Sequence, residues 1–169
     1  IDQSSGKLYF SSTGNAVGND KLWEVELSTG NTRLMAIGLR NPYGLAVDSQ
    51  GQVLVSENYI NSISVVTPQS AATSLTTIEG VSSVPVWGSK QTLAGNGSTT
   101  GAYLDGFGAA AKFDQPNGVG LALDGALLVA DQGGHRIRRI GSYSTKQILP
   151  QGLFLDALTG DRKSTRLNS

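Results

Sequence analysis

The apolar positions of this chain fall in short runs separated by turn residues, and one arrangement of them occurs twice. Pro42-Tyr43-Gly44-Leu45-Ala46-Val47-Asp48 passes through Ser49-Gln50-Gly51 into Val53-Leu54-Val55-Ser56-Glu57. Further on, Pro116-Asn117-Gly118-Val119-Gly120-Leu121-Ala122-Leu123-Asp124 passes through Gly125 into Leu127-Leu128-Val129-Ala130-Asp131. Each copy reads Pro-x-Gly, an apolar run, a turn containing glycine, and a second apolar run ending in an acid, which is a strand–turn–strand pattern. Val53-Leu54-Val55 and Leu127-Leu128-Val129-Ala130 are apolar at successive positions, as strands covered on both faces require. No stretch sustains a helical period.

More strand candidates follow each copy, at 62–66 and 74–78 after the first and at 136–140 and 145–149 after the second. A partial copy precedes them, with segments at 2–11, 21–27 and 32–35. Each unit thus offers up to four strands. A four-stranded meander alone exposes two apolar faces, and stacking successive sheets around an axis buries them. The expected fold is all-β: a partial β-propeller of about three to four blades, each a four-stranded antiparallel meander, with the ring not closed. The spacing is uneven, 46 residues from Asp2 to Asp48 and 76 from Asp48 to Asp124. The excess lies between Gly80 and Pro116 and reads as a long insertion between blades or as a degenerate blade, the first account being preferred.

Composition narrows the function. Of 169 residues, 38% are apolar, 15% are charged and 22 are glycine, which fits tight turns and argues against charge-driven disorder. Zero formal net charge gives no electrostatic ground for a nucleic-acid partner. The lack of cysteine excludes disulfides, thiolate metal sites and cysteine nucleophiles. No apolar run approaches a membrane span. The chain starts at Ile1 with no signal-peptide pattern and reads as an internal piece of a longer protein, its compartment undetermined. Residues 1–160 form the propeller reading, and 161–169 a basic tail foreign to it.

Several segments resemble NHL-repeat β-propellers: Gln91-Thr92-Leu93-Ala94-Gly95, Asp105-Gly106-Phe107-Gly108, Ala110-Ala111-Lys112-Phe113, Pro116-x-Gly118, Leu128-Val129-Ala130-Asp131 and His135-Arg136-Ile137-Arg138. The resemblance implies that Thr92-Leu93-Ala94-Gly95 closes a blade, that the turn ending in His135-Arg136-Ile137 joins its second and third strands, and that the protein scaffolds rather than catalyses. Members usually carry about six blades, so a fragment is implied. Gly38-Leu39-Arg40-Asn41-Pro42-Tyr43-Gly44-Leu45-Ala46 with Val55-Ser56-Glu57 is also similar to gluconolactonase and quinone-dependent sugar dehydrogenase propellers, which implies a cation or quinone in the central channel.

In a meander, alternate turns share one face, and binding residues concentrate on loops held by a rigid scaffold. The candidate binding residues on that face are Arg40, Asn41, Glu57, Asp105 and Asp131. Glu57 and Asp131 end equivalent strands, where a carboxylate can equally accept hydrogen bonds from turn N–H groups; two acids cannot specify a cation. His135, the only histidine, reads as a turn residue before a base or ligand. Trp23 and Trp87 read as packing between blades. Arg136, Arg138 and Arg139 read as a solvated edge or a pair with Asp131. Asn96-Gly97-Ser98 is an N-glycosylation triplet and lacks the ending of a phosphate loop. No catalytic residue, metal ligand or cofactor is assigned. The expected function is a non-catalytic NHL-type module binding a protein or other macromolecule, its partners including the missing blades of the same propeller, with no nucleic acid and no membrane span. The alternative is an enzyme of the sugar dehydrogenase or lactonase type.

Overall fold

The computed structural model describes residues 5–13, 20–141 and, for the backbone, 155–157. The strand expected over 145–149 and the tail over 161–169 lie outside the described residues. Among the described residues the strands are β1 (Lys7–Ser12), β2 (Asp20–Glu26), β3 (Thr32–Leu39), β4 (Pro42–Val47), β5 (Val53–Glu57), β6 (Ser62–Pro68), β7 (Ser74–Ile78), β8 (Val81–Val86), β9 (Gly88–Ala94), β10 (Pro116–Leu121), β11 (Leu127–Asp131), β12 (Arg136–Ile140) and β13 (Leu155–Ala157). Two short 3-10 turns, Asn58–Ile60 and Gly108–Ala110, are the only helical elements among the described residues. The strands form three sheets, ordered β1-β2-β3-β8-β7, β4-β5-β6-β9 and β10-β11-β12-β13. Among the described residues the fold is all-β, three blades in succession.

The second and third blades repeat each other position for position at an offset of 74. Pro42 pairs with Glu57 as Pro116 pairs with Asp131, and both ladders are irregular immediately after the proline. Gly51 and Gly125 occupy the same place in their hairpins with φ of 76° and 81°, where a side chain would be strained. The aspartates separated by 76 are therefore not equivalent: Asp48 enters its hairpin and Asp124 sits near the exit of the other. The repeat is set by the backbone turn, and the acids serve it from different ends. Asp48 Oδ1 accepts from the N–H groups of Gln50 and Gln52, and Asp124 Oδ1 from that of Ala126.

Two assignments change. Residues 74–78 form a strand, but not the fourth of their blade; that place belongs to β9, paired antiparallel with β6. β7 and β8 make a hairpin inserted between the third and fourth strands, and it joins the first sheet through a parallel bridge between Leu34 and Val86. The excess length is thus a hairpin within a blade together with a long connection over 95–115, rather than a degenerate blade. β7 is exposed along most of its length, so nothing in its burial distinguished it from a true outer strand.

Successive sheets bury apolar residues at two seams. Between the first and second lie Tyr9, Leu22, Met35, Val53, Val55 and Val66, with Trp87 packed against them. Between the second and third lie Leu54, Ile63, Val65, Phe113, Leu127 and Val129. Val53-Leu54-Val55 divides its side chains between the two seams, and all three are fully buried. Trp23 is at neither seam; it stacks on Phe10 with ring centroids 6.5 Å apart.

β10 lies so close to β4 that a Cβ at Gly44 would sit 2.5 Å from the Asn117 carbonyl oxygen and 2.7 Å from the Val119 nitrogen, both backbone atoms. At the equivalent Gly118 the nearest neighbour would be the Ala130 Cβ at 3.9 Å. Gly44→Ala is therefore expected to destabilise the protein by about 1–3 kcal/mol through overpacking, whereas Gly118→Ala should stay within about 0.5 kcal/mol. Urea midpoints of the two variants, compared at unchanged slope, check this.

Candidate functional site

The face carrying the turns between second and third strands is organised by backbone capture. The residue before each Pro-x-Gly proline, Asn41 or Gln115, has a left-handed φ of 55° or 53°. Its N–H points back into the preceding blade, where Asp20 Oδ2 accepts from Asn41 at 2.6 Å and Asn61 Oδ1 accepts from Gln115 at 2.7 Å. Asn61, itself left-handed at φ 50°, also donates through Nδ2 to the Ser98 carbonyl at 2.9 Å. Asn is among the side-chain types that tolerate this conformation and hydrogen-bond local backbone.

The residue one step earlier is captured within its own blade. Glu57 accepts the Arg40 N–H at 2.8 Å, and Asp131 accepts the Asp114 N–H at 2.8 Å. Both carboxylates are fully buried and each has a cation beside it. Lys90 Nζ on β9 lies 2.9 Å from both Glu57 oxygens, and the Ser64 hydroxyl donates to the same group. Arg138 on β12 holds Asp131 at 3.2 Å and reaches Asp105. Ser64 and Arg138 occupy the same place in their blades, so the charge moves from the fourth strand to the third while the captured N–H stays.

Arg138 also pins the long connection. Its guanidinium donates to the Lys112 carbonyl at 3.0 Å and the Leu104 carbonyl at 3.2 Å, and it lies 4.6 Å from the Tyr103 ring centre and 5.2 Å from that of Phe113. Arg136 covers Tyr103 at 3.7 Å. Leu104 and Lys112 bridge each other, which makes the connection a small ordered flap. Burial pushes the Asp131 carboxyl up, and the Asp114 N–H and Arg138 only partly counter it. Glu24, in the first blade, shows the opposite balance: burial raises it, but Arg33, Tyr9 and Lys7 together hold it below its usual value.

The five candidate residues fall into two groups. Arg40, Asn41 and Glu57 meet at the seam of the first two blades, and Asp105 and Asp131 flank Arg138 in the third. Glu57 and Asp131 are buried and engaged, while Arg40 and Asp105 are exposed. His135 is exposed at φ 51°, the turn position that Asn61 holds in the second blade. Lys90 and Asn61 were missed in the sequence, because neither belongs to a motif. Aligning the blades at 74 would have exposed Asn61 through its match to His135. Among the described residues, no group of three His, Cys, Asp or Glu side chains is placed to hold a metal ion. The same face exposes aromatic side chains: Tyr43, Tyr59, Tyr103 and Phe107 are each between 44% and 58% accessible.

No protein-family model and no curated protein sequence matches the chain. Among solved structures it is similar to an auxiliary nutrient binding protein from Bacteroides thetaiotaomicron VPI-5482, with a TM-score of 0.56 at 14% identity over 90% of this chain and 33% of that one. It is also similar to a luciferin-regenerating enzyme, with a TM-score of 0.56 at 15% identity over 91% of this chain and 43% of that one. Both are β-propeller-type proteins, and the likeness gives this chain the β-propeller fold. The chain spans a third to about two-fifths of their length.

Arg138→Met leaves Asp131 buried beside no cation and releases the flap. A cost of about 3–5 kcal/mol is expected at pH 7, as for removal of one partner of a buried ion pair, together with faster amide exchange at Leu104 and Lys112. The loss should shrink towards pH 4. A carboxyl whose folded pKa lies above its unfolded value binds more protons in the folded state, so its contribution falls as pH rises from the unfolded pKa of 3.8 through the folded one. Without Arg138 that rise is larger. Urea titrations of both proteins at pH 4 and pH 7 check it.

Proposed function

We propose that this chain is part of an NHL-type propeller that binds a protein partner through the turn-bearing face, without catalysis. The observation carrying this reading is the set of exposed aromatics on the loops of that face, Tyr43, Tyr59, Tyr103 and Phe107, with Arg40 beside Tyr59 and Asp105 beside Tyr103. Tyr, Phe and Arg are the side chains that anchor protein interfaces, and a polar rim around an aromatic centre excludes water from the contact. Glu57 and Asp131, the two strand-ending acids of this chain, are both engaged by backbone N–H groups and cations. The NHL assignment draws support from β9, which carries Gln91-Thr92-Leu93-Ala94 as the outer strand of its blade, and from the flap built on Asp105-Gly106-Phe107-Gly108.

The enzyme reading has two observations in its favour, the Arg40-to-Glu57 segment and the likeness in fold to an enzyme. The two readings separate in one experiment. The wild-type chain and the Tyr59→Ser/Phe107→Ser double variant are compared in crosslinking pull-downs, and both are assayed with a sugar lactone and added calcium. We expect proteins crosslinked to the wild type to be recovered at least about tenfold less by the variant, since interface aromatics commonly cost 2 kcal/mol or more on truncation, with no turnover by either. Equal recovery by both proteins, or lactone turnover, would contradict the proposal.

A further inference from the structure

A hairpin projects from the outer rim of the propeller where the first two blades meet. β7 and β8 leave the second blade between β6 and β9, and β8 joins the sheet of the first blade beside β3. β3 is the outer strand of that blade, since the chain leaves it for β4 as it leaves β9 for β10. β8 runs parallel to β3 and meets it only at Leu34 and Val86. Residues 81–83 therefore extend past Thr32, where β3 begins, at the end opposite Tyr59 and the flap. Propeller blades stack face to face around the axis, so no neighbouring blade covers this rim, whatever the size of the ring.

Local chemistry builds the arm. Ile78 pairs with Val81 across Glu79 and Gly80, both left-handed at φ 50° and 84°, the two-residue turn that matches strand twist. The register then shifts at a bulge on β8, where Ser83 has a φ of 62°. Strand edges that stay single are blunted by charge, proline or bulges. Here Pro85 and the bulge both lie on β8, the inner strand, and β7, the outermost, carries no such device. Glu79 is the only charged residue between Glu57 and Lys90. Leu75 on β7 is 66% exposed, and among the described residues the far edge of β7 has no ladder partner.

We propose that β7 is an association edge for a second copy of this chain, the two arms pairing antiparallel about a two-fold axis at Thr76. The sequence of β7 specifies that occupant. In this register Thr76 faces Thr76 of the other copy, Ser74 faces Ile78 and Leu75 faces Thr77. Thr–Thr and β-branched pairs stabilise antiparallel ladders. The two Leu75 side chains become diagonal neighbours on one face, within reach of each other, which withdraws the arm's exposed leucine from water. An edge without charge does not repel its own copy and has nothing with which to attract a charged strand. Two strands of five residues cover less than the roughly 1,200 Å² at the lower bound of a standard interface, so the association is weak and reversible.

The chain has no cysteine, which makes disulfide trapping on the full chain a direct test. Facing residues of an antiparallel pair have Cα atoms about 4.5–5.5 Å apart, within the range a disulfide spans. Under mild oxidation at micromolar concentration, Thr76→Cys is expected to form covalent dimers about tenfold faster than Ser82→Cys on β8, although Ser82 is the more exposed. A mixture of Leu75→Cys and Thr77→Cys should yield the mixed dimer in preference to either self-dimer. Thr76→Lys added to both should slow that trapping about tenfold, because like charges then face each other across the pair. No trapping at Thr76, or trapping at Ser82 as fast as at Thr76, would overturn the proposal, since any association would then run through other surfaces. A mixture that shows no preference, or trapping that Thr76→Lys leaves unchanged, would overturn it as well.

Discussion

Each blade is tied to the next by a side chain that reaches across the seam to the N–H group before a proline. Asp20 holds Asn41, and Asn61 holds Gln115, at 2.6 and 2.7 Å. The interaction is needed because the turn is uncomfortable. A left-handed φ is uncommon outside glycine, and the α region is disfavoured before proline. Such a conformation costs on the order of 1–3 kcal/mol and persists only where its surroundings over-determine it. An N–H left unpaired there would cost about 1–3 kcal/mol more. Capture removes the second cost and fixes the direction in which the next strand sets out, so that β4 and β10 start against their neighbours in the same register.

The charges follow from this arrangement. A strand that enters so close to its neighbour brings a second N–H, that of Arg40 or Asp114, to the end of the hairpin strand, where an acid accepts it. A carboxylate fully removed from water then needs a cation. The two blades meet that need differently, with Lys90 from the outer strand and with Arg138 from the third strand. Only the arginine is long and forked enough to reach the carbonyls of Leu104 and Lys112 as well. The flap bearing Tyr103 and Phe107 is therefore ordered by the same cation that neutralises Asp131. Exposed aromatics and buried acid are linked through one guanidinium.

The blade architecture was legible because a strand covered on both faces leaves an unbroken apolar run, and Val53-Leu54-Val55 does so. Equivalence of Glu57 and Asp131 was legible from the Pro-x-Gly repeat. The identity of the fourth strand in the second blade was not. Residues 74–78 and 91–94 have similar strand chemistry, and the difference lies in which one pairs with β6, a long-range fact. Asn61 and Lys90 were hidden for a related reason: each acts on a backbone atom or an acid far away in sequence, and nothing local marks either. The repeat of 76 was misread because aspartate can stabilise a hairpin from either end, whereas glycine at φ near 80° has one place in it.

Amide hydrogen exchange at Asn41 and Gln115 under native conditions measures the seam directly. If the cross-blade captures hold the blades together, these two loop amides should exchange as slowly as those of Leu54 and Val129 in the strand cores, opening only with the blades themselves. Fast exchange at Asn41 and Gln115 alongside protected strand cores would contradict the account, because the captures would then open without separating the blades.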